Sequence, residues 1–129
     1  MNTKAKGTKH ERDLIHKLWA AGFASIRSAG SGSQRYPAPD ILTGNNLRKL
    51  GIECKSSKNT TIYIPKQEIT DLKTFCTTFG AEPWIAVKCK TEEWFFLNPE
   101  DILQTKKNYA ITIKRAKSFG LLLEELLEQ

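Results

Sequence analysis

Two absences in this sequence of 129 residues limit where the protein acts. No apolar run approaches the ~20 residues that a membrane-spanning helix needs. The first residues also lack the apolar region of a secretory signal peptide. We therefore expect no membrane partner and a cytoplasmic location.

Cysteine is scarce, and its spacing matches no metal or redox motif. The three cysteines, Cys54, Cys76 and Cys89, show neither Cys-x-x-Cys spacing nor a nearby histidine. Each lies in an apolar pattern, which predicts reduced core thiols rather than a disulfide or a zinc site. A Ser-His or Cys-His arrangement is also missing, so the sequence offers no activated side chain for a covalent intermediate.

The amino-acid composition is that of a globular protein with an excess of positive charge. Hydrophobic residues make up 40% and charged residues 26%, which fits one folded domain over residues 1–129. Residues 1–7 carry Lys4 and Lys6 without apolar anchors, and we expect them to form a loose basic arm. The net charge of +6 favours a phosphate-rich partner, most commonly nucleic acid.

Apolar periodicity predicts an α/β fold, in which helices cover a central mixed β-sheet. The first helix is expected to begin at Thr8, where Thr8 and Glu11 match a capping box. The last helix is expected over 119–127, with Ser118 as its cap. The other predicted elements are strands at 23–27, 39–43, 50–55, 61–64, 84–90 and 94–97, a helix at 65–79, a helical turn at 99–103 and an extended segment at 110–113.

One predicted β-hairpin carries most of the chemistry. Two apolar runs flank a Gly-Asn-Asn segment, whose residues tolerate a tight reversal. A loop of the two asparagines places Asp40 opposite Gly51, on the strand face shared by Glu53 and Lys55 and diagonal to Glu53. A loop of odd length would place Asp40 on the other face unless a bulge restored the register.

The two carboxylates on this face would repel each other without a cation between them. Hard oxygen ligands such as those of Asp40 and Glu53 select Mg²⁺ or Mn²⁺ over zinc. Lys55 is then placed to hold a phosphate oxygen or to orient the attacking water. The alternative is a solvent-exposed strand with scattered charges, and the residues alone leave both interpretations open.

Two further segments adjoin this hairpin. Glu11 lies in line with the apolar stripe of the first helix, where it either closes the capping box or joins the carboxylates. Residues 28–35 are rich in serine and glycine, which predicts a mobile loop next to Asp40. Such a loop suits phosphate contact or acts only as a linker.

Four segments resemble the archaeal Holliday junction resolvases, which belong to the PD-(D/E)xK nuclease superfamily. They are Glu11-Arg12, Arg27-Ser28-Ala29-Gly30-Ser31, Pro37-Ala38-Pro39-Asp40 and Ile52-Glu53-Cys54-Lys55. The resemblance continues through 75–80 and 86–88, weakens after residue 97, and departs at 32–39, which is longer than the family pattern. It implies a restriction-endonuclease-like fold and a homodimer that cuts two opposing strands of a four-way DNA junction with Mg²⁺ or Mn²⁺.

The resemblance also implies roles for individual residues. Asp40 and Glu53 would bind the metal ion, Glu11 would complete the site, and Lys55 would serve the attacking water or the phosphate. The residues predicted to contact DNA are Arg12, Arg27, Ser31 and Lys88, with Lys6 in the basic arm and Arg35 in the loop.

A junction has two scissile strands, so one active site per chain requires a two-fold symmetric pair of chains. Apolar side chains of the helix at 65–79 and of the last helix are predicted to form its interface. They are Leu72, Phe75, Phe79 and Phe119. The alternative is that these side chains pack only within the monomer core.

Two other functions fit the same residues. One is a restriction-like or repair nuclease with the same core and a different DNA target. The other is a junction-binding protein without catalytic activity. The set of Glu11, Asp40, Glu53 and Lys55 argues against the second, because binding alone does not require clustered acids facing phosphate.

Overall fold

Apolar residues at helical and strand periods build two β-sheets with helices packed against them. The structure, a computed structural model, describes residues 3–28, 36–89 and 93–128, with side chains from residue 9 onward. No helix in these ranges is long and apolar enough to cross a membrane. The elements are α1 (Thr3–Ala20), β1 (Ala24–Arg27), β2 (Ile41–Gly44), β3 (Lys49–Ser57), β4 (Thr61–Pro65), α2 (Lys66–Phe79), β5 (Glu82–Cys89), β6 (Phe95–Leu97), a 3-10 turn (Pro99–Asp101), β7 (Leu103–Gln104), β8 (Asn108–Thr112), α3 (Ile113–Phe119) and α4 (Leu123–Leu127).

The larger sheet has five strands in the order β1-β2-β3-β5-β6. β3 and β5 are parallel, whereas the other neighbouring strands are antiparallel, so the sheet is mixed. The smaller sheet is antiparallel, with the order β4-β8-β7. This second sheet was not predicted, because the pairing of β4 with β8 joins segments far apart in the sequence.

Two hydrophobic cores lie on opposite faces of the larger sheet. On one face Leu14 of α1 packs in a cluster with Ala86 of β5. On the other face Ile69 of α2 packs in a cluster with Ile85 of β5, and we call this cluster the α2-side core. Adjacent residues of a strand point to opposite faces, so β5 contributes to both cores. The expected mixed sheet flanked by helices is therefore confirmed.

Gly51 allows α2 to approach β3 closely. A Cβ at Gly51 would lie 2.6 Å from Cys76 Sγ of α2, closer than two such atoms can pack. The first turn of α2 consequently reaches the side chain of Lys55 on the same face of β3.

The first helix is longer than predicted. α1 begins at Thr3, so the predicted N-cap at Thr8 is wrong. The predicted loose arm over residues 1–7 is also wrong for residues 3–7, which are helical. Lysine and alanine favour a helix, and the one glycine there, Gly7, costs only about 1 kcal/mol relative to alanine. Glu11 therefore lies in the interior of α1 rather than in a capping box.

The last predicted helix is instead two helices. α3 ends at Phe119, and Gly120 is extended with φ −81° and ψ 156°. Leu121 then exchanges backbone hydrogen bonds with Phe96 of β6, at 2.8 and 2.9 Å. This pairing with the sheet edge interrupts the helix, so the prediction of one helix at 119–127 is wrong. Ser118 lies inside α3 and does not cap it.

Candidate active site

The loop of the β2–β3 hairpin spans residues 45–48, so it has four residues rather than the predicted two. Ile41 of β2 pairs with Ile52 of β3. Continuing this register by one residue sets Asp40 directly opposite Glu53, not diagonal to it. Because the loop length is still even, the two acids keep their predicted common face.

Asp40 and Glu53 form a carboxylate pair with little solvent exposure. Each residue is 9% exposed, and Asp40 Oδ2 accepts a hydrogen bond of 2.8 Å from the backbone N–H of Cys54. Burial, and then the negative charge of Asp40, raise the pKa of Glu53 to about 9. Glu53 therefore carries a proton at neutral pH unless a cation neutralises the pair.

Lys55 pairs with Glu68, a residue that was not predicted from the sequence. Its ammonium forms a salt bridge with Glu68 Oε1 in the first turn of α2, and Glu68 is also hydrogen-bonded to Glu53. Burial alone would lower the pKa of Lys55, but the hydrogen bond and charge of Glu68, with the charges of Glu53 and Asp40, raise it. No sequence spacing links Lys55 to Glu68, because only the packing of α2 on β3 brings them together.

Glu11 reaches the same end of the sheet from α1. Its carboxylate accepts a hydrogen bond of 3.1 Å from Arg27 Nε. Burial, and then the charge of Asp40, raise the pKa of Glu11, while Arg27 opposes this shift. Asp40 thus acts electrostatically on both Glu11 and Glu53, so the structure brings together the four predicted catalytic residues, including Lys55.

Two of the predicted DNA contacts, Arg12 and Lys88, have side chains that the structure describes, without a hydrogen bond or ion pair to this cluster. Arg12 follows Glu11 on α1 and is exposed. Lys88 lies on β5, and its Nζ is 5.7 Å from the centroid of the Trp94 ring. Arg27 is bound to Glu11, as described above. The other predicted DNA contacts lie outside the described residues or side chains: Ser31, Arg35 and Lys6.

The donor set of this site fits a small divalent cation. Asp40 and Glu53 supply hard carboxylate oxygens, and burial together with the negative charge of Asp40 raises the pKa of Glu53. Mg²⁺ commonly uses one or two protein carboxylates and keeps several waters, so a pair suffices. Among the described residues no three His, Cys, Asp or Glu side chains form a ready-made metal cluster. Glu11 interacts electrostatically with Asp40, while its carboxylate is held by Arg27.

The three cysteines are free thiols, and Cys76 and Cys89 are buried in the α2-side core, as predicted. Cys54 lies between Glu53 and Lys55 but on the opposite face of β3. Burial, followed by the charge of Asp40, raises the pKa of the Cys54 thiol well above its ordinary value. Cys54 therefore stays neutral, which does not suit a nucleophile.

The predicted dimer residues have different environments. Leu72 is 1% exposed and lies in the core, so its assignment to an interface is wrong: the stripe of α2 that carries it faces the sheet. Phe75 and Phe79 stack with ring centroids 5.4 Å apart, and Phe79 is 48% exposed. Phe119 is half exposed on α3, where the guanidinium of Arg115 lies 4.4 Å from its ring centroid.

Known proteins with similar sequences are named as nucleases that cut DNA junctions. The family model described as archaeal Holliday junction resolvase (Hjc) matches residues 2–129. The crossover junction endodeoxyribonuclease Hjc of Archaeoglobus fulgidus is 44% identical over 108 residues, which cover 84% of this chain and 79% of that protein. The enzyme of the same name from Methanocaldococcus jannaschii is 37% identical over 122 residues, which cover 95% and 86%.

A solved structure extends this similarity to the fold. Archaeoglobus fulgidus Hjc, described as a Holliday junction resolvase from an archaeal hyperthermophile, matches with a TM-score of 0.86 and 40% sequence identity. The match covers 93% of this chain and 98% of that one, which confirms the expected nuclease fold. The chain belongs to the archaeal Holliday junction resolvase family.

Proposed function

We propose that this protein is a magnesium-dependent endodeoxyribonuclease that resolves four-way DNA junctions by cutting two opposing strands as a homodimer. The observation that carries this function is the cluster of Glu11, Asp40, Glu53 and Lys55 at one end of the sheet. Membership of a resolvase family, with relatives named crossover junction endodeoxyribonucleases, supports the choice of substrate. Because its proposed substrate is junction DNA, we assign its action to the cytoplasm.

In this mechanism Asp40 and Glu53 would hold Mg²⁺, or Mn²⁺ in its place. When bound, the ion would supply Lewis-acid stabilisation at the scissile phosphate and at the attacking water. Glu53 gives up its proton on binding, because a ligating carboxylate must be ionised. Glu11 supports the pair from α1, where Arg27 fixes the position of its carboxylate.

Lys55 supplies a fixed positive charge at the scissile phosphate. The salt bridge to Glu68 restricts an otherwise flexible side chain to a few positions. From there the ammonium donates a hydrogen bond to a phosphate oxygen or to the attacking water. Glu68 is thus a positioning residue, which acts on the reaction through Lys55.

Basic side chains hold the DNA strands next to the cut. In this proposal Arg12, Arg27 and Lys88 each neutralise a phosphate of the junction. Every such contact adds about one unit to the slope of log affinity against log salt. Ser31, Arg35 and Lys6 stay in this proposal as DNA contacts predicted from the sequence alone.

The proposed dimer uses an exposed apolar surface near the end of α2. Phe79, Trp19 and Ile26 are 48%, 56% and 64% exposed, and they border an apolar cavity of about 460 Å³. Contiguous exposed apolar side chains commonly mark protein interfaces. A Phe79→Glu variant should therefore sediment as a folded monomer that nicks junctions without making paired cuts. Unaltered protein that sediments as a monomer and still makes paired cuts would contradict the dimer.

One cleavage assay tests the proposed function. The protein is incubated with Mg²⁺ and either a four-way junction or a linear duplex of the same sequence, with a chelator as control. We expect paired cuts in the junction only. Cutting of the linear duplex would instead indicate a restriction-like or repair nuclease, and a stable uncut complex would indicate a junction-binding protein without activity.

A further inference from the structure

The second sheet has an outer face that no other element of the described chain covers at its centre. Its inner face is buried, with Ile64 and Ile111 fully inside the α2-side core. Side chains alternate along β4, so Tyr63 points outward, and the register sets it beside Ala110 and then Leu103. Tyr63 is 63% and Leu103 is 51% exposed. The row of Leu103, Ala110 and Tyr63 therefore crosses the sheet at the protein surface.

The segments that contain this row are basic. Residues 54–67 and 102–123, which contain all three strands of the sheet, include no Asp or Glu. Their lysines outside the active site are exposed, except for the half-buried Lys66. They are Lys58, Lys66, Lys106, Lys107, Lys114 and Lys117. We call the row and these lysines the basic platform.

The basic platform adjoins the catalytic cluster at the start of α2. Lys66 Nζ donates a hydrogen bond of 2.7 Å to the carbonyl of Lys106, which holds the turn between β7 and β8 against the first turn of α2. Two residues further along α2, Glu68 forms the salt bridge with Lys55. The basic turn and the cleavage site therefore lie at the same end of α2.

We propose that the basic platform binds the phosphate backbone of the junction arm that leads away from the cut. This inference rests on the proposed function and adds a DNA contact outside the catalytic cluster. Duplex DNA carries one negative charge per ~1.7 Å of axis, which matches a lysine-rich surface. A second copy of the chain fits less well, because a two-fold contact would bring the same lysines against each other.

Tyr63 suits the same occupant. A tyrosine hydroxyl donates hydrogen bonds to phosphate oxygens, and the ring packs against sugars. Neither contact reads the base sequence, so the basic platform should grip any arm of sufficient length. Its contribution therefore depends on arm length and salt rather than on sequence.

The test compares two double variants that remove the same charge. Lys106→Gln with Lys107→Gln alters the basic platform. Lys17→Gln with Lys49→Gln alters exposed lysines at the end of α1 and the start of β3, away from Lys55. Lys49 also lines the cavity of the proposed dimer surface, so sedimentation verifies that this control has the same mass as the unaltered protein. Binding to a fluorescent four-way junction is measured without metal ions over a range of salt, with long arms and with arms trimmed close to the crossover.

With long arms, the platform variant should bind about tenfold more weakly at low salt, and its slope of log affinity against log salt should be smaller by about two. With trimmed arms it should bind as the unaltered protein does. The Lys17 and Lys49 control should match the unaltered protein on both substrates. Thermal unfolding of each variant verifies that it is folded.

Three outcomes would overturn this inference. The first is a platform variant with unchanged slope and affinity on long arms, and the second is an equal loss in both double variants, which would reflect net charge alone. The third is a Tyr63→Glu variant that becomes monomeric while its affinity for long arms is unchanged, because the surface would then be a contact between copies. Failure of the proposed function would give a different result, because the unaltered protein itself would then neither bind nor cut junctions. The basic platform would in that case have no junction arm to bind.

Discussion

The two ends of β3 carry ionic networks that differ in charge balance. Just before its start, Arg48 donates hydrogen bonds of 2.9 and 2.8 Å to the two carboxylate oxygens of Glu82 and one of 2.7 Å to the carbonyl of Leu126. The hydrogen bond to Arg48 lowers the pKa of Glu82. At the other end, burial and the charge of Asp40 raise the pKa of Glu53 to about 9.

This difference separates an ion pair that stabilises the fold from a site that requires a ligand. Arg48 neutralises Glu82 through a two-pronged contact, so both charged forms are favoured in the folded protein. The ammonium of Lys55 lowers the pKa of Glu53, but it also forms a salt bridge with Glu68. Folding therefore places two carboxylates together at a cost that a bound cation offsets.

Removing a carboxylate at the Asp40 and Glu53 end of β3 should have the largest effect on cleavage. Glu53→Gln or Asp40→Ala should lower the single-turnover cleavage rate by more than about a thousandfold, which corresponds to about 4 kcal/mol, because the metal ion loses a ligand. Junction binding should stay equal or become tighter, since a negative charge near phosphate is lost. Glu82→Gln is the matched control and should cut normally when folded. A Glu53→Gln protein that cuts at the unaltered rate would contradict the site.

The same Glu53→Gln change should stabilise the metal-free protein. The folded pKa of Glu53 is about 9 against an ordinary value of 4.5, so the folded chain retains a proton that the unfolded chain loses above pH 4.5. Stability therefore falls as the pH rises from about 4.5 to about 9. The variant should be more stable than the unaltered protein by up to about 3 kcal/mol at neutral pH, and equal to it near pH 4. Urea unfolding measures this, and a difference independent of pH would refute the raised pKa.

At the start of β3, removal of the Arg48 guanidinium should destabilise the protein. Arg48→Ala leaves Glu82 and the Leu126 carbonyl without their donor, and the free energy of unfolding should fall by about 1–2 kcal/mol. The loss is limited because the Glu82 side chain is 41% exposed and therefore screened by water. Urea unfolding at neutral pH measures it. An Arg48→Ala protein of unchanged stability would remove the contrast between the two ends.

The smallest expected effect concerns Glu68. Glu68→Ala should lower the saturating cleavage rate about tenfold, because the ammonium of Lys55 loses its fixed position. In a Lys55→Met background the same change should have no further effect, as measured by a double-mutant cycle. Asp71→Ala is the matched control: Asp71 lies on the same helix but bonds to Gln67 instead. An equal loss with and without Lys55 would show that Glu68 does not act through that residue.

The carboxylate pair could be predicted because its placement follows from local rules. Alternation along a strand gives Glu53 and Lys55 one face, and any hairpin loop of even length keeps Asp40 on it, so a two-residue error in the loop left the site intact. Glu68 and Glu82 escaped prediction because their partners, Lys55 and Arg48, are distant in the sequence and meet only through packing.

The prediction of the last helix and of the exposed face of α2 was wrong for a similar reason. The leucines at 121–127 have helical spacing, but the backbone of Leu121 pairs with Phe96 and interrupts the helix. Leu72 and Phe79 belong to one apolar stripe, yet Leu72 is buried and Phe79 is half exposed, because the sheet covers only part of α2. Periodicity identifies an apolar face without stating what covers it.

The most direct test of the metal site is a calorimetric titration of the protein with Mn²⁺ at neutral pH. Measurement in two buffers of different ionisation enthalpy counts the protons released on binding. We predict saturable binding that releases about one proton per site, because Glu53 must ionise, and loss of that binding in Glu53→Gln but not in Glu82→Gln. Equal Mn²⁺ binding by Glu53→Gln and the unaltered protein, or binding without proton release, would contradict the assignment of Asp40 and Glu53 as the metal ligands.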